Sequence, residues 1–180
     1  MGNYDRGLAL LRELGGADEP AVLELFHRIG ADDFGAEAVA YVYGGVYQRA
    51  GLSLAQRQLI TVGALAAVGF AEAQLRFHLA AARNVGCSGR QLREALELVG
   101  STAAAEAGLG DEGSGLDDQD RHLVALAAYT ALGGVAPELD EHVRAVGDDK
   151  AAVEAVLHLS VYVGFPAALN ALTRIAAARG

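Results

Sequence analysis

The chain has one cysteine, one methionine, three prolines and no tryptophan in 180 residues, and aromatic side chains make up 6% of it. A single thiol, Cys87, has no second cysteine with which to close an internal disulfide, so the fold rests on packing rather than covalent staples. Basic residues are scarce as well, 14 Lys and Arg against 23 Asp and Glu, for a formal net charge of −9. That balance argues against a phosphate-binding surface and therefore against nucleic acid as a partner. Long hydrophobic runs are missing too. The most apolar stretch, Leu59 to Phe70, covers about a dozen residues where roughly 20 would be needed to cross a bilayer, so no membrane partner is expected. The opening MGNYDRGLALLRELGG shows no basic segment followed by an apolar one, and a cytoplasmic setting is expected.

Strand signals are nearly absent. Val, Ile and aromatic residues seldom alternate with polar ones, while Ala, Leu, Glu, Gln and Arg fill long windows with apolar residues three or four apart. With 52% hydrophobic residues, the chain can bury a real core, and the expected class is all-α. Ser53 to Gln56 and Ser88 to Gln91 read as Ser-x-x-Gln capping boxes that open helices, and Asp117 and Asp149 are further cap candidates. Pro20 and Pro137 suit first-turn positions. Gly16, Gly30, Gly51, Gly69, Gly86 and Gly133 stand where helices should stop. The expected segments are 4–14, 20–29, 33–48, 54–68, 71–84, 89–107, 117–132, 136–146, 150–161 and 165–178, merging into about eight helices.

The sequence also repeats. GLSLAQRQLITVGALAAVGFAEAQLRFH lies over GLDDQDRHLVALAAYTALGGVAPELDEH at a constant shift of 64, with no gap. Identities include Arg57/Arg121, Gly69/Gly133, Leu75/Leu139 and His78/His142. Ala and Leu matches are cheap in so Ala-rich a chain, but matched Arg, His and helix-ending Gly are not. Each copy is a helical hairpin that runs through a short turn, at Gly86-Cys87-Ser88 or Gly147-Asp148-Asp149, into a third amphipathic helix. The Gly-, Ser- and Asp-rich stretch around 108–118 marks the seam. The division expected is N-terminal helices over 1–50, a first repeat over 51–108 and a second, diverged repeat over 109–180.

Residues 41–96, from YVYGGVYQRAGLSLAQRQ to SGRQLREAL, resemble the carboxymuconolactone decarboxylase and AhpD-like alkylhydroperoxidase family. The shared order is Gly-Leu-Ser, Arg, an apolar helix, Leu-x-x-His, Ala, Gly and a further helix. The closing VLHLSVYVGFPAALNALTRIAAA, residues 156–178, is similar to the family's Tyr-x-Gly-Phe-Pro helix. The resemblance implies an AhpD-like helical fold that oligomerises, commonly as trimers when a chain carries two repeats. It also implies a small-molecule substrate and no cofactor.

Hydroperoxidase members carry Cys-x-x-Cys-x-x-x-His, in which a helical turn sets a nucleophilic thiol beside its partner and a histidine. Here the positions four and seven before His78 are Gln74 and Ala71, and those before His142 are Glu138 and Val135. Cys87 lies beyond the helix and cannot stand in for either thiol. The decarboxylase branch needs no thiol. There the resemblance gives His78 and His142 as catalytic candidates, and Arg57 and Arg121 as binders of a substrate carboxylate, which the planar guanidinium pairs bidentately.

Other residues are less specific. The position after the family's Arg is often acidic and could orient the His, but it is Gln58 in one copy and His122 in the other. Glu138 shares the face of His142 at i−4, whereas Glu141 points about 100° away. Arg57 and Arg121, four residues after Ser53 and Asp117, also suit first-turn contacts. Tyr41, Tyr43 and Tyr47 read as core or interface, and Phe165 and Pro166 as shaping the last helix. His27, His122 and His158 lack any spacing that sets two ligands on one face, so no metal site is expected. Three functions stay open on these grounds: a cofactor-free lyase acting on a small carboxylated lactone, a non-catalytic helical oligomer or ligand-binding protein, and a thiol peroxidase, which the missing cysteines disfavour.

Overall fold

The computed structural model describes residues 2–178, and among them every regular element is helical. The chain divides between Arg49 and Ala50 into two compact units. The first holds α1 (Asn3–Gly15), α2 (Ala21–Arg28), α3 (Asp32–Val42) and a 3-10 turn, Val46–Gln48. Here α1 lies against α3 so closely that a Cβ on Gly7 would strike the Val39 carbonyl, and one on Gly44 would strike that of Asn3. Leu10, Leu11, Leu14 and Val39 are buried. The segment expected over 33–48 stops early because Gly44 and Gly45 fill a tight corner.

The second unit holds α4 (Leu54–Val68), α5 (Glu72–Asn84), α6 (Gly89–Leu98), the short α7 (Ala103–Glu106), α8 (Asp118–Ala131), α9 (Glu138–Ala145) and α10 (Asp149–Ala178). Ser53 and Ser88 close the expected capping boxes with Gln56 and Gln91, and Asp117 caps α8. The cap of α10 is Asp148, whose carboxylate accepts from the amides of Lys150 and Ala151, one residue before the expected Asp149. The six glycines expected to end helices all have positive φ, from 62° to 113°. Gly100, at φ 72°, ends α6 early and splits the segment expected over 89–107.

α10 is by length and composition able to cross a membrane. It is not one straight rod. Gly164, at φ 78° and ψ 161°, leaves helical geometry and breaks it into 149–163 and 165–178, each shorter than the roughly 20 residues a span requires. Pro166 sits in the first turn of the restarted helix, where its missing N–H costs nothing.

The repeat becomes a pseudo-twofold in space. α4 and α8 pack side by side at the centre, and Gln56 Nε2 donates to Asp120 Oδ1 at 3.1 Å, a contact between residues 64 apart in the chain and equivalent in the repeat. Each copy lends side chains to the other. Ile60 of α4 is buried in the cluster of Leu126, Leu139, Val156 and Leu159, while its counterpart Val124 of α8 is buried among Leu59, Leu75, Leu92 and Leu96. Leu52 and Leu116 cross over in the same way.

Candidate active site

Polar side chains cluster inside this apolar frame. Arg57, Gln58 and Thr61 on α4, His78 on α5 and His158 on α10 are each at most 3% exposed. α4 puts Arg57 and Thr61 on one face at i, i+4. α10, the third helix of the other copy, brings His158 to them. Arg57 Nη1 lies 3.3 Å from His158 Nδ1, and Thr61 Oγ1 lies 2.9 Å from His158 Nε2. The Thr61 hydroxyl donates to the Arg57 carbonyl at 2.7 Å. One turn further along α10, Tyr162 stands between the two histidines, its ring centroid 5.5 Å from that of His158 and 5.2 Å from that of His78.

His78 Nδ1 meets Gln58 Oε1 at 2.8 Å. An amide oxygen only accepts, so Nδ1 carries the proton and Nε2 the lone pair. Among the described residues no buried side-chain nitrogen or oxygen lacks a partner, and Gln58 is the hydrogen-bond partner of His78. Burial pushes the His78 imidazole down to about 3, which keeps it neutral. His158 lies well below its ordinary range, first through burial, then through the charge of Arg57 and the presence of His78. The arrangement offers a neutral proton acceptor and a guanidinium inside a low-dielectric enclosure, where a charge–charge contact is far stronger than in water.

The structure places the other predicted pair at the counterpart position. His142 Nδ1 lies 3.0 Å from His122 Nδ1, so His122 occupies the role of Gln58. The ring of Tyr129 stacks on His142 at 5.6 Å. Both histidines are half-buried. His142 is lowered by burial and then by His122, while Glu141 pulls it back up; the sequence favoured Glu138 as the neighbour on its face. Arg121 Nη2 pairs with Glu94 on α6 at 2.6 Å, rather than with the first-turn cap. His27 is exposed, 3.0 Å from Asp32. Among the described residues no three His, Cys, Asp or Glu side chains gather as metal ligands would. Cys87 is buried, its thiol pushed up to about 11 by burial and by Asp120. Tyr47 is buried with Tyr43 stacked on it at 5.1 Å, and Tyr41 is exposed.

Sequence reasoning named Arg57 and His78 and noted Gln58 after the arginine; it weighed His158 only as a metal ligand and passed over Thr61 and Tyr162. One signal was available. Glu154, His158 and Tyr162 are polar residues at i, i+4 and i+8, on one face of the first, mainly apolar part of α10.

The carboxymuconolactone decarboxylase family model matches this chain twice, over residues 33–110 and 102–177. The chain belongs to the carboxymuconolactone decarboxylase family. Both family units thus sit in one polypeptide, and the polar cluster takes α4 and α5 from the first and α10 from the second. Among curated proteins no match is found.

Proposed function

We propose that this member of the carboxymuconolactone decarboxylase family is a cofactor-free carboxy-lyase acting on a small carboxylated lactone at the α4, α5 and α10 cluster. One observation carries the reading. The fold does not need these polar groups, because the pseudo-equivalent place in the other half does without several of them. Thr61 corresponds to Ala125 at the shift of 64, and His158 corresponds to Leu98 when α6 and α10 are aligned on their caps, Ser88 and Asp148. Burying an arginine and two histidines is costly, and buried, perturbed titratable groups concentrate at functional sites.

In this reading Arg57 holds the substrate carboxylate. Breaking the C–CO2 bond leaves its electron pair on the ring carbon, spread into the unsaturated lactone carbonyl. A proton passes from solvent by way of His78 Nε2 to the ring as CO2 departs, the imidazole carrying it only in passing because burial favours its neutral form. Gln58 keeps the imidazole in the tautomer that presents Nε2. Cys87, buried and far from a thiolate, weighs against the peroxidase alternative. His142 and Arg121 fall outside the proposed reaction, because both are only partly buried.

The proposal includes a homo-oligomer, with a trimer favoured, in a cytoplasmic setting. Its support is the exposure of Leu132, Val135, Phe165 and Leu169, on a turn and a helix segment joined by the Asn170 amide donating to the Gly133 carbonyl. The decisive assay is CO2 release from 4-carboxymuconolactone and related lactone acids. Turnover by the wild type that is lost in His78→Ala, with helical circular dichroism unchanged, supports the enzyme. No turnover of any such acid gives the ground to a non-catalytic ligand-binding protein.

A further inference from the structure

The hydrogen bonds around His158 have directions that follow from one carbonyl. The Arg57 carbonyl oxygen can only accept, so the Thr61 hydroxyl hydrogen points to it. Thr61 Oγ1 then accepts from His158, which places the proton on Nε2. His158 Nδ1 keeps its lone pair and accepts from the Arg57 guanidinium. The result is a closed ring that starts and ends on Arg57, and it uses α10 to fix an arginine that α4 carries.

We propose that His158 is a positioning residue, held as the Nε2–H tautomer by Thr61 so that it clamps the Arg57 guanidinium in the orientation that receives a substrate carboxylate. This rests on the enzyme reading above for its purpose, though not for its geometry. The two histidines of the cluster thereby hold opposite tautomers: His78 is protonated on Nδ1 toward Gln58, and His158 on Nε2 toward Thr61. A cation at His158 would lose the acceptor that Arg57 uses and set a second positive charge beside it. Burial keeps it neutral. In the other half Leu98 stands at the counterpart of His158 and cannot form such a clamp.

Long-range 1H–15N correlation spectra of the full-length chain read the tautomers without any substrate. Expected are an Nε2–H pattern for His158 and an Nδ1–H pattern for His78, assigned with His158→Gln and His78→Gln. An Nδ1–H or doubly protonated His158 at pH 7 overturns the proposal and leaves the enzyme reading standing. The functional arm uses Thr61→Val, which keeps the shape and removes the hydroxyl. KM for 4-carboxymuconolactone should rise about tenfold with kcat nearly unchanged, equivalent to about 1.4 kcal/mol of binding. Thr61→Ser, which restores the hydroxyl, should recover most of that loss. A fall in kcat at constant KM, or no recovery by serine, contradicts the clamp. A wild type inactive on every lactone acid sinks the enzyme reading alone, and the tautomer spectra still decide the ring.

Discussion

In the first copy the repeat's histidine, His78, is 3% exposed and faces a neutral amide at 2.8 Å. In the second, His142 is half-buried and faces another imidazole at 3.0 Å. The partner comes from the same repeat position both times, Gln58 or His122, so the backbone geometry is preserved while the chemistry differs. The arginines differ in the same sense. Arg57 is enclosed at 1% exposure with the His158 imidazole 3.3 Å away, and the Arg121 side chain is 43% exposed with Glu94 at 2.6 Å. A shared scaffold therefore does not imply a shared activity. In the function proposed above, the half whose arginine and histidine are both buried is the one that receives the anion.

The sharpest way to break this contrast is to remove each histidine in turn. His78→Ala should lower turnover by about 100-fold or more, the usual scale for a lost acid–base group, while His142→Ala should stay within about twofold. Equal losses in steady-state assays would make the two sites equivalent. Acid titration comes next. A histidine whose folded value is depressed contributes stability that is fully present above its ordinary value of 6.5 and is lost as pH falls toward about 3. Between pH 7.5 and 5, His78 alone should cost about 2 kcal/mol, with His158 acting in the same direction. Urea midpoints at the two pH values measure the loss, and His78→Gln should reduce it.

Smaller effects test the frame that holds the two halves together. A Cβ on Gly63 would come within 2.9 Å of Val124 Cγ1, and its repeat counterpart is Ala127. Overpacking at that contact costs about 1–3 kcal/mol and the gain in helix propensity returns about 1, so Gly63→Ala should destabilise by about 1 kcal/mol in thermal melts. A stabilised variant would show that the two central helices pack loosely there. Last, Arg121→Gln should cost about 0.5 kcal/mol, since a partly exposed ion pair contributes little. A loss of several kcal/mol in urea titration would make Arg121 as structural as its buried counterpart.

Most helices were legible because their ends are written in local chemistry. Serines three before a glutamine, and glycines needed at positive φ, mark boundaries that no distant contact overrules. Where the reading slipped, the cause lay elsewhere in the fold. Gly44 ends α3 because the Asn3 backbone lies in the way of any side chain, and no local pattern announces that approach. The site was half legible for the same reason. Arg57 and His78 lie within the ungapped repeat and could be matched to their copies. Thr61 has only an alanine, Ala125, as its counterpart there, and His158 lies beyond the hairpin, where the spacing between copies changes from 64 to 60. Its placement depends on which copy's third helix closes the cluster, and that is a tertiary fact.

That crossing of third helices also bears on how such a molecule can change. In a symmetric assembly of identical single units, every substitution is made twice, so a leucine in place of His158 would spoil both clusters together. A chain that carries both units can hold His158 and Thr61 in one while the other carries Leu98 and Ala125. The duplication thus frees the two halves from having to stay alike, while the shared pair of central helices still obliges them to fit.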